Sequence, residues 1–368
     1  MLLHSEFLDV FFYFFYTNTW GDYMQLELFD KNDFKQHKKY LDGLMKSKED
    51  IIKIAQKAGR TRLYKVLSFG GGTQSSHLLE AHFRNEIDYD FIVFSDTGAE
   101  PEFIHEQVSW WRRRQKELSN NTPFIITTHN SMERGLEEML MRYLQTDYQR
   151  FQLPLYFNKV DEETGEIRKG GLMKRQCTGD FKIVPAQQAV RNEIKKQLGL
   201  RPKQQIPKDI GIIMDIGFSY DEMNRVGGYI SHQSKYIYLA YPLIEQGLTT
   251  QDSIEFLINN DFPSRRSRCY FCPFNCSGER ARDIGMDWEE IIETEPISFL
   301  KACFFDEELR KCQASGKKNM QSIPYFHFSR KALKEVYSDS FKLLNNKFGL
   351  KILEWRKEWE LFIDSKYN

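Results

Sequence analysis

The chain has 368 residues, 41% of them hydrophobic and 14% aromatic, so it can bury a sizeable core and is neither a disordered nor a fibrous sequence. Its 52 basic side chains balance its 52 acidic ones, which excludes a global positive field and leaves any contact with nucleic acid to local patches. Six cysteines are too few to staple a chain this long, and three crowd at Cys269, Cys272 and Cys276, a grouping that suits ligands in a reducing cytosol better than disulfides.

Near the amino terminus, "FLDVFFYFFY" (7–16) is apolar but carries Asp9 and is far shorter than the ~20 residues that span a bilayer. The expectation is a helix packed on the body, with no membrane contact and a cytoplasmic location; a start of translation at Met24 is an alternative. Residues 30–58 are lysine-rich with apolar positions at Leu41, Leu44, Met45, Ile51, Ile52 and Ile54, which predicts one or two helices and a helical extension over residues 1–60. The period then changes. "LYKVLSF" (63–69), "YDFIVFSDTG" (89–98) and "PFIITTH" (123–129) read as strands, with helices over 75–87 and 102–118 between them. Such alternation predicts right-handed crossovers and a parallel sheet with helices on both faces, an α/β fold. "KDIGIIMDIGFS" (208–219) and "YIYLAYPL" (236–243) supply later strands. A nucleotide-binding domain is expected over 61–247. A helical region bearing the cysteine cluster is expected over 248–368.

Between the first strand and its helix lies "LSFGGGTQSS" (67–76). Gly70, Gly71 and Gly72 lack β-carbons, so backbone N–H groups there can close on an anion. Ser75 and Ser76 open the following helix, where the dipole and free N–H groups favour phosphate. A tight turn that merely needs glycine is the plainer alternative. The ATPase pattern G-x-x-x-x-G-K-[ST] fails, because Thr73 follows Gly72 and no lysine is near. The dinucleotide pattern G-x-G-x-x-G half fits, with Ser75 at its third glycine and Asp96 available to a ribose.

The loop resembles the PP-loop of the ATP pyrophosphatase superfamily, S-G-G-x-D-S: Gly70 replaces the first serine, Gly71, Gly72 and Ser75 match, and Gln74 replaces the aspartate. "VFSDTGAEPEFIHEQV" is similar to the V-F-x-D-T-G-x-x-x-P-E-T segment of phosphoadenosine phosphosulfate (PAPS) reductases, with Phe103 in place of the threonine. "KRQCTGDFKIVPAQQAV" (174–190) is similar to their C-C-x-x-R-K-x-x-P-L: Cys177, Lys182 and Pro185 agree, and Thr178 replaces a cysteine. "SRCYFCPFNC" (267–276) resembles their later C-x-x-C. "IGFSYDEMNRV" (216–226) and "YPLIEQGLTTQDSIEFL" (241–257) resemble a phage and mobile-element branch, with Thr250 where that branch carries arginine. The likeness runs over residues 62 to 305.

The resemblance implies a Rossmann-like fold of the adenine nucleotide α-hydrolase type. It implies ATP with magnesium held by Ser68, Gly70, Gly71, Gly72, Gln74, Ser75, Ser76, Asp96, Thr97 and Arg225. Lys182, Arg175 and Asp96 become the catalytic candidates, since cations beside the α-phosphate stabilise charge that builds on its oxygens. Cys177, Cys269, Cys272 and Cys276 become a ligand set for a four-iron cluster or for zinc. The final residues, "KEWELFIDSKYN", carry no cysteine like the one a sulfonucleotide reductase uses to attack sulfate, so the expected reaction is adenylation with pyrophosphate release. The acceptor class suggested by related enzymes is nucleic acid, modified with sulfur or in defence, with protein partners of such a system. A nucleotide-binding subunit without turnover and a genuine sulfonucleotide reductase are the alternatives. Two stretches pair arginine with aromatics, "WWRRRQK" (110–116) and "PSRRSRCYF" (263–271), and suit phosphate contact and base stacking. A helix with a buried tryptophan and solvated arginines is the plainer reading of the first.

Overall fold

The computed structural model describes residues 11–13, 27–29, 45–161, 163–275 and 287–367. Among these, five strands form an all-parallel sheet: β3 (Arg62–Phe69), β4 (Phe91–Ser95), β5 (Phe124–Thr127), β8 (Ile210–Ile216) and β9 (Ile237–Ala240). Their order across the sheet is β5-β4-β3-β8-β9, which places β3 at the centre. Strands flanked by helices are covered on both faces, so they read as unbroken apolar runs rather than alternating ones. β4, "FIVFS", is buried at all of its positions. All five strands stand where the apolar runs predict them.

Helix α1 (Lys48–Lys57) lies in the helical stretch expected before the sheet, and α2 (Thr73–Phe83) and α3 (Glu102–Glu117) stand at the expected crossovers; α4 (Gly135–Gln145) and α5 (Val184–Gln197) add to them. In α3 the buried side is Phe103, Ile104, Gln107, Val108, Trp111 and Gln115, a helical stripe interrupted by two glutamines. Further along come α6 (Pro242–Glu245) and α7 (Thr250–Ile258), the latter started by a capping box between Thr249 and Asp252. Then follow α8 (Trp288–Thr294), α9 (Pro296–Ala314), α10 (Leu333–Val336) and the thirty-residue α11 (Ser338–Tyr367). The carboxy-terminal region is helical, as the charge and periodicity after Thr249 suggest.

Two features differ from the sequence reading. Phe11–Tyr13 (β1) pairs antiparallel with Glu27–Phe29 (β2), a strand where a helix was expected; phenylalanine and tyrosine favour extended backbone. The remaining residues of 1–44, including Leu41 and Leu44, lie outside the described residues. A second sheet, absent from the reading, joins β6 (Tyr156–Val160), β7 (Ile167–Leu172) and β10 (Ile323–Tyr325) in the order β10-β6-β7.

The chain divides into two compact units. The first takes Met1–Ser68, Gln74–Phe91 and Gln205–Phe262; the second takes Phe69–Thr73, Ile92–Gln204 and Pro263–Asn368. In the first, α1 packs Ile51 and Ala55 against Ile213, Tyr238 and Ala240. There the fully buried Asp215 accepts from Lys48 Nζ at 2.5 Å and from Tyr89 OH at 2.8 Å. Burial still pushes the Asp215 carboxyl above its ordinary range, against the pull of both partners. In the second, one large core joins α4, α8, α9 and α11 to the cysteine-bearing segment, with Trp288, Phe271, Phe299, Phe305 and Phe326 at its centre. Glu137 of α4 collects Tyr270 OH at 2.7 Å, Lys301 Nζ at 3.2 Å and the indole N–H groups of Trp355 and Trp359, each at 3.2 Å. One carboxylate thus ties the carboxy-terminal helices to the C-x-x-C segment.

Candidate functional site

The glycine loop leaves the carboxyl end of the central strand and opens directly into α2. Gly71 adopts φ +72°, where a side chain is strained. At Gly72 the constraint is contact: an added Cβ would lie 2.7 Å from the backbone nitrogen of Ser267. The loop therefore lies against the segment that leads into Cys269. Gln107 holds the two together, its amide donating to Gly71 O at 2.5 Å and to Arg265 O at 3.2 Å and accepting from Arg265 N at 3.1 Å. Buried backbone groups need partners, and a polar residue on the apolar side of α3 supplies them.

Beyond the neighbouring strand β4, Asp96 Oδ1 accepts from Gly98 N at 2.8 Å and shapes the turn, while its Oδ2 lies 4.0 Å from His105 Nδ1. Thr97 Oγ1 donates to Glu100 Oε1 at 3.1 Å and lies 3.5 Å from Cys269 Sγ. The side chain of Glu100 is fully buried and pairs with Lys182 Nζ at 3.2 Å. Lys182 also reaches Ser267 Oγ at 3.5 Å, and Ser267 Oγ lies 3.4 Å from Glu100 Oε2. Through Ser267, then, the structure brings Lys182 to the glycine loop.

A proline explains how Lys182 is presented. Pro185 has no N–H to give to the carbonyl four residues back, Phe181, and the backbone widens into a π turn over Gly179–Ile183. The freed carbonyl accepts instead from Ser95 Oγ, at the end of β4, at 2.9 Å. Burial alone would lower the Lys182 ammonium; the Glu100 carboxylate, with Cys269 beside it, outweighs burial and the net shift is upward. Lys182 is a cation throughout the neutral range.

Cys269 and Cys272 flank a tight turn, with Cys272 N donating to Cys269 O at 3.0 Å. Burial pushes the Cys269 thiol well up, and Glu100 adds to the shift against Lys182. Burial also raises Cys272, with Cys177 close enough to add to the shift and Arg175 close enough to oppose it. Arg175 lies over the ring of Phe274 at 5.3 Å. Cys276 lies outside the described residues. Among the described residues no group of three His, Cys, Asp or Glu is placed to hold a metal ion. Three of the four expected cysteines, Cys177, Cys269 and Cys272, are brought into one neighbourhood without forming a ligand cage by themselves.

The other expected contacts belong to the first unit. Gln74 Nε2 donates to Thr250 Oγ1 at 3.2 Å and to Glu222 Oε2 at 3.3 Å. Thr250 is held in turn by Ser219 Oγ at 2.8 Å, and its N–H donates to Asp221 at 2.8 Å. Arg225 pairs with Glu222 at 2.8 Å and covers the Phe218 ring at 4.1 Å. Ser75 lies close to Gly217, where an added Cβ would stand 3.0 Å from its nitrogen. Ser76 is fully buried and its Oγ has no hydrogen-bond partner; Ser68, in register with Ile216, is half-buried.

No protein-family model matches the chain, and no curated protein matches it in sequence. Functional weight therefore rests on the site itself. Sequence reasoning missed Glu100, Gln107 and Ser267. The signal for Gln107 was present, a glutamine inside an apolar helical stripe, and Glu100 stood within the quoted "DTGAEPE". Ser267 opened the stretch "SRCYFCPFNC", but nothing there marked its role, which comes from chain segments far apart in order.

Proposed function

We propose that the chain is a PAPS reductase-like PP-loop enzyme with an adenine nucleotide α-hydrolase type of fold, which binds ATP at residues 70–76 and cleaves it between the α- and β-phosphates. The observation that carries this reading is Lys182 held against the loop through Ser267 while the loop itself contains no lysine. A cation beside the loop but outside it suits charge that develops at the α-phosphoryl group, whereas a lysine within the loop would serve the β- and γ-phosphates. An acceptor oxygen or nitrogen attacks the α-phosphorus, the bond to the α–β bridging oxygen breaks, pyrophosphate leaves with the electron pair, and the acceptor's proton passes to solvent. Magnesium, when bound, balances the charge of the leaving pyrophosphate. Glu100 keeps Lys182 charged and in place, and Asp96 shapes the turn that carries Thr97. Cys177, Cys269, Cys272 and Cys276 are proposed to hold a four-iron cluster or zinc, with Cys276 completing the set.

Two analogues test the reading. ATP with a methylene bridge between the β- and γ-phosphates should still be turned over, and ATP with the bridge between α and β should bind without turnover. The reverse pattern would overturn it. A second reading, a nucleotide-binding subunit without turnover, is favoured by one observation: the Gln74 amide is committed to Thr250 and Glu222, and a carboxamide supplies no negative charge to magnesium. Binding of both analogues with turnover of neither would select it.

A further inference from the structure

The two arginine-and-aromatic stretches, some 150 residues apart in sequence, meet in the second unit. A groove of about 730 Å³ is lined on one side by α3, with Phe103, Gln107, Trp110 and Arg113, and on the other by Pro263, Ser264 and Arg265. That volume falls within the ~300–1,000 Å³ of ligand sites. Trp110 is half-buried and held edge-on at 4.9 Å by the fully buried Trp111, which fixes its ring as a platform. Arg265 lies over the Phe103 ring at 4.7 Å with its side chain exposed, and Arg113 is exposed beside Trp110. The groove meets the glycine loop through one side chain, since the Gln107 that lines it also donates to Gly71 O.

We propose that this groove holds a single strand of nucleic acid and delivers it to the loop as acceptor. The proposal rests on the function given above only in calling the strand an acceptor. An aromatic platform flanked by guanidinium groups suits unpaired bases and their phosphates, because every base has a face to stack and duplex bases do not expose theirs. Glu102, Glu106 and His105 border the same groove. The two carboxylates repel phosphate but accept from exocyclic amino groups, which directs the choice to an amino-bearing base such as cytosine. The chain's zero net charge fits a local contact of this kind rather than a long basic track.

Fluorescence anisotropy with labelled 12-mers of dC or rC tests the proposal, with ATP binding measured separately by calorimetry. The parent should bind one or both strands. Trp110→Ala should weaken binding tenfold or more with the salt dependence unchanged. The exposed pair Arg113→Gln with Arg265→Gln should weaken it likewise and reduce the log–log salt slope by about 1.4, from roughly 0.7 per phosphate contact on a single strand. All three proteins should bind ATP alike. The groove is not a strand site if the parent ignores both 12-mers, if the double variant binds like the parent, or if CMP competes as well as the strand does. Strand binding without ATP binding would leave this proposal standing and remove the function proposed for the loop.

Discussion

Gly72→Ala is the sharpest perturbation of the site, because one methyl group meets a backbone nitrogen that cannot rotate away. The added Cβ would stand 2.7 Å from Ser267 N, about 0.8 Å inside the ~3.5 Å van der Waals optimum. The loop and the 265–267 segment must separate by that distance, yet Gln107 ties them with three hydrogen bonds. Overpacking of this kind costs about 1–3 kcal/mol. At ~2–4 °C per kcal/mol for a domain of similar size, the melting temperature should fall by about 2–12 °C. Separation also carries Ser267, and with it the Lys182 contact, away from the loop, so nucleotide affinity should drop tenfold or more. Differential scanning calorimetry and isothermal titration read the two effects. Gly59→Ala is the control: its φ of +78° strains an added side chain, but nothing lies within 4 Å of its added Cβ, so it should cost about 1 kcal/mol and leave nucleotide binding unchanged. If Gly72→Ala melts and binds like the parent, the loop does not lie against Ser267 and the reasoning fails.

Glu137→Ala strips one acceptor from Tyr270, Lys301, Trp355 and Trp359, so stability should fall by about 3–5 kcal/mol with loss of near-ultraviolet tryptophan dichroism; retention of both would deny the hub. Burial lowers His327 from 6.5 to about 4, and Ser329 N donates to its Nδ1, so the folded state keeps a neutral ring that the unfolded state protonates. Stability should therefore decline as pH falls from 6.5 towards 4, by up to ~1.4 kcal/mol per unit, and His327→Gln should flatten that decline in urea titrations. Protein purified without oxygen should carry about four iron atoms, or one zinc, per chain, and Cys272→Ser should lose the metal; a metal-free parent whose Cys272→Ser variant melts normally would dismiss the centre.

The parallel sheet was legible because its inner strands β4 and β8 are buried almost throughout and so appear as unbroken apolar runs, "FIVFS" and "IGIIMDI". The β6–β7 hairpin was not, since "YFNKV" and "IRKGGL" are half-exposed and weakly patterned, and their pairing with Ile323–Tyr325 joins segments about 160 residues apart. At the site, the glycines and Lys182 announced themselves by motif. The π turn that presents Lys182 depended on Pro185 releasing the Phe181 carbonyl to Ser95, a consequence of two residues ninety positions apart. The pairing of Gln74 with Thr250 was equally hidden. Gln74 stood out only as a departure from the PP-loop pattern and Thr250 only as a departure from the phage and mobile-element branch, and the structure places the two in one hydrogen bond.

Product analysis with ATP tests the central claim most directly. Chromatography of the products formed from ATP, magnesium and a cytosine 12-mer should show pyrophosphate together with AMP or an adenylated strand. ADP and inorganic phosphate as the sole products would contradict the account.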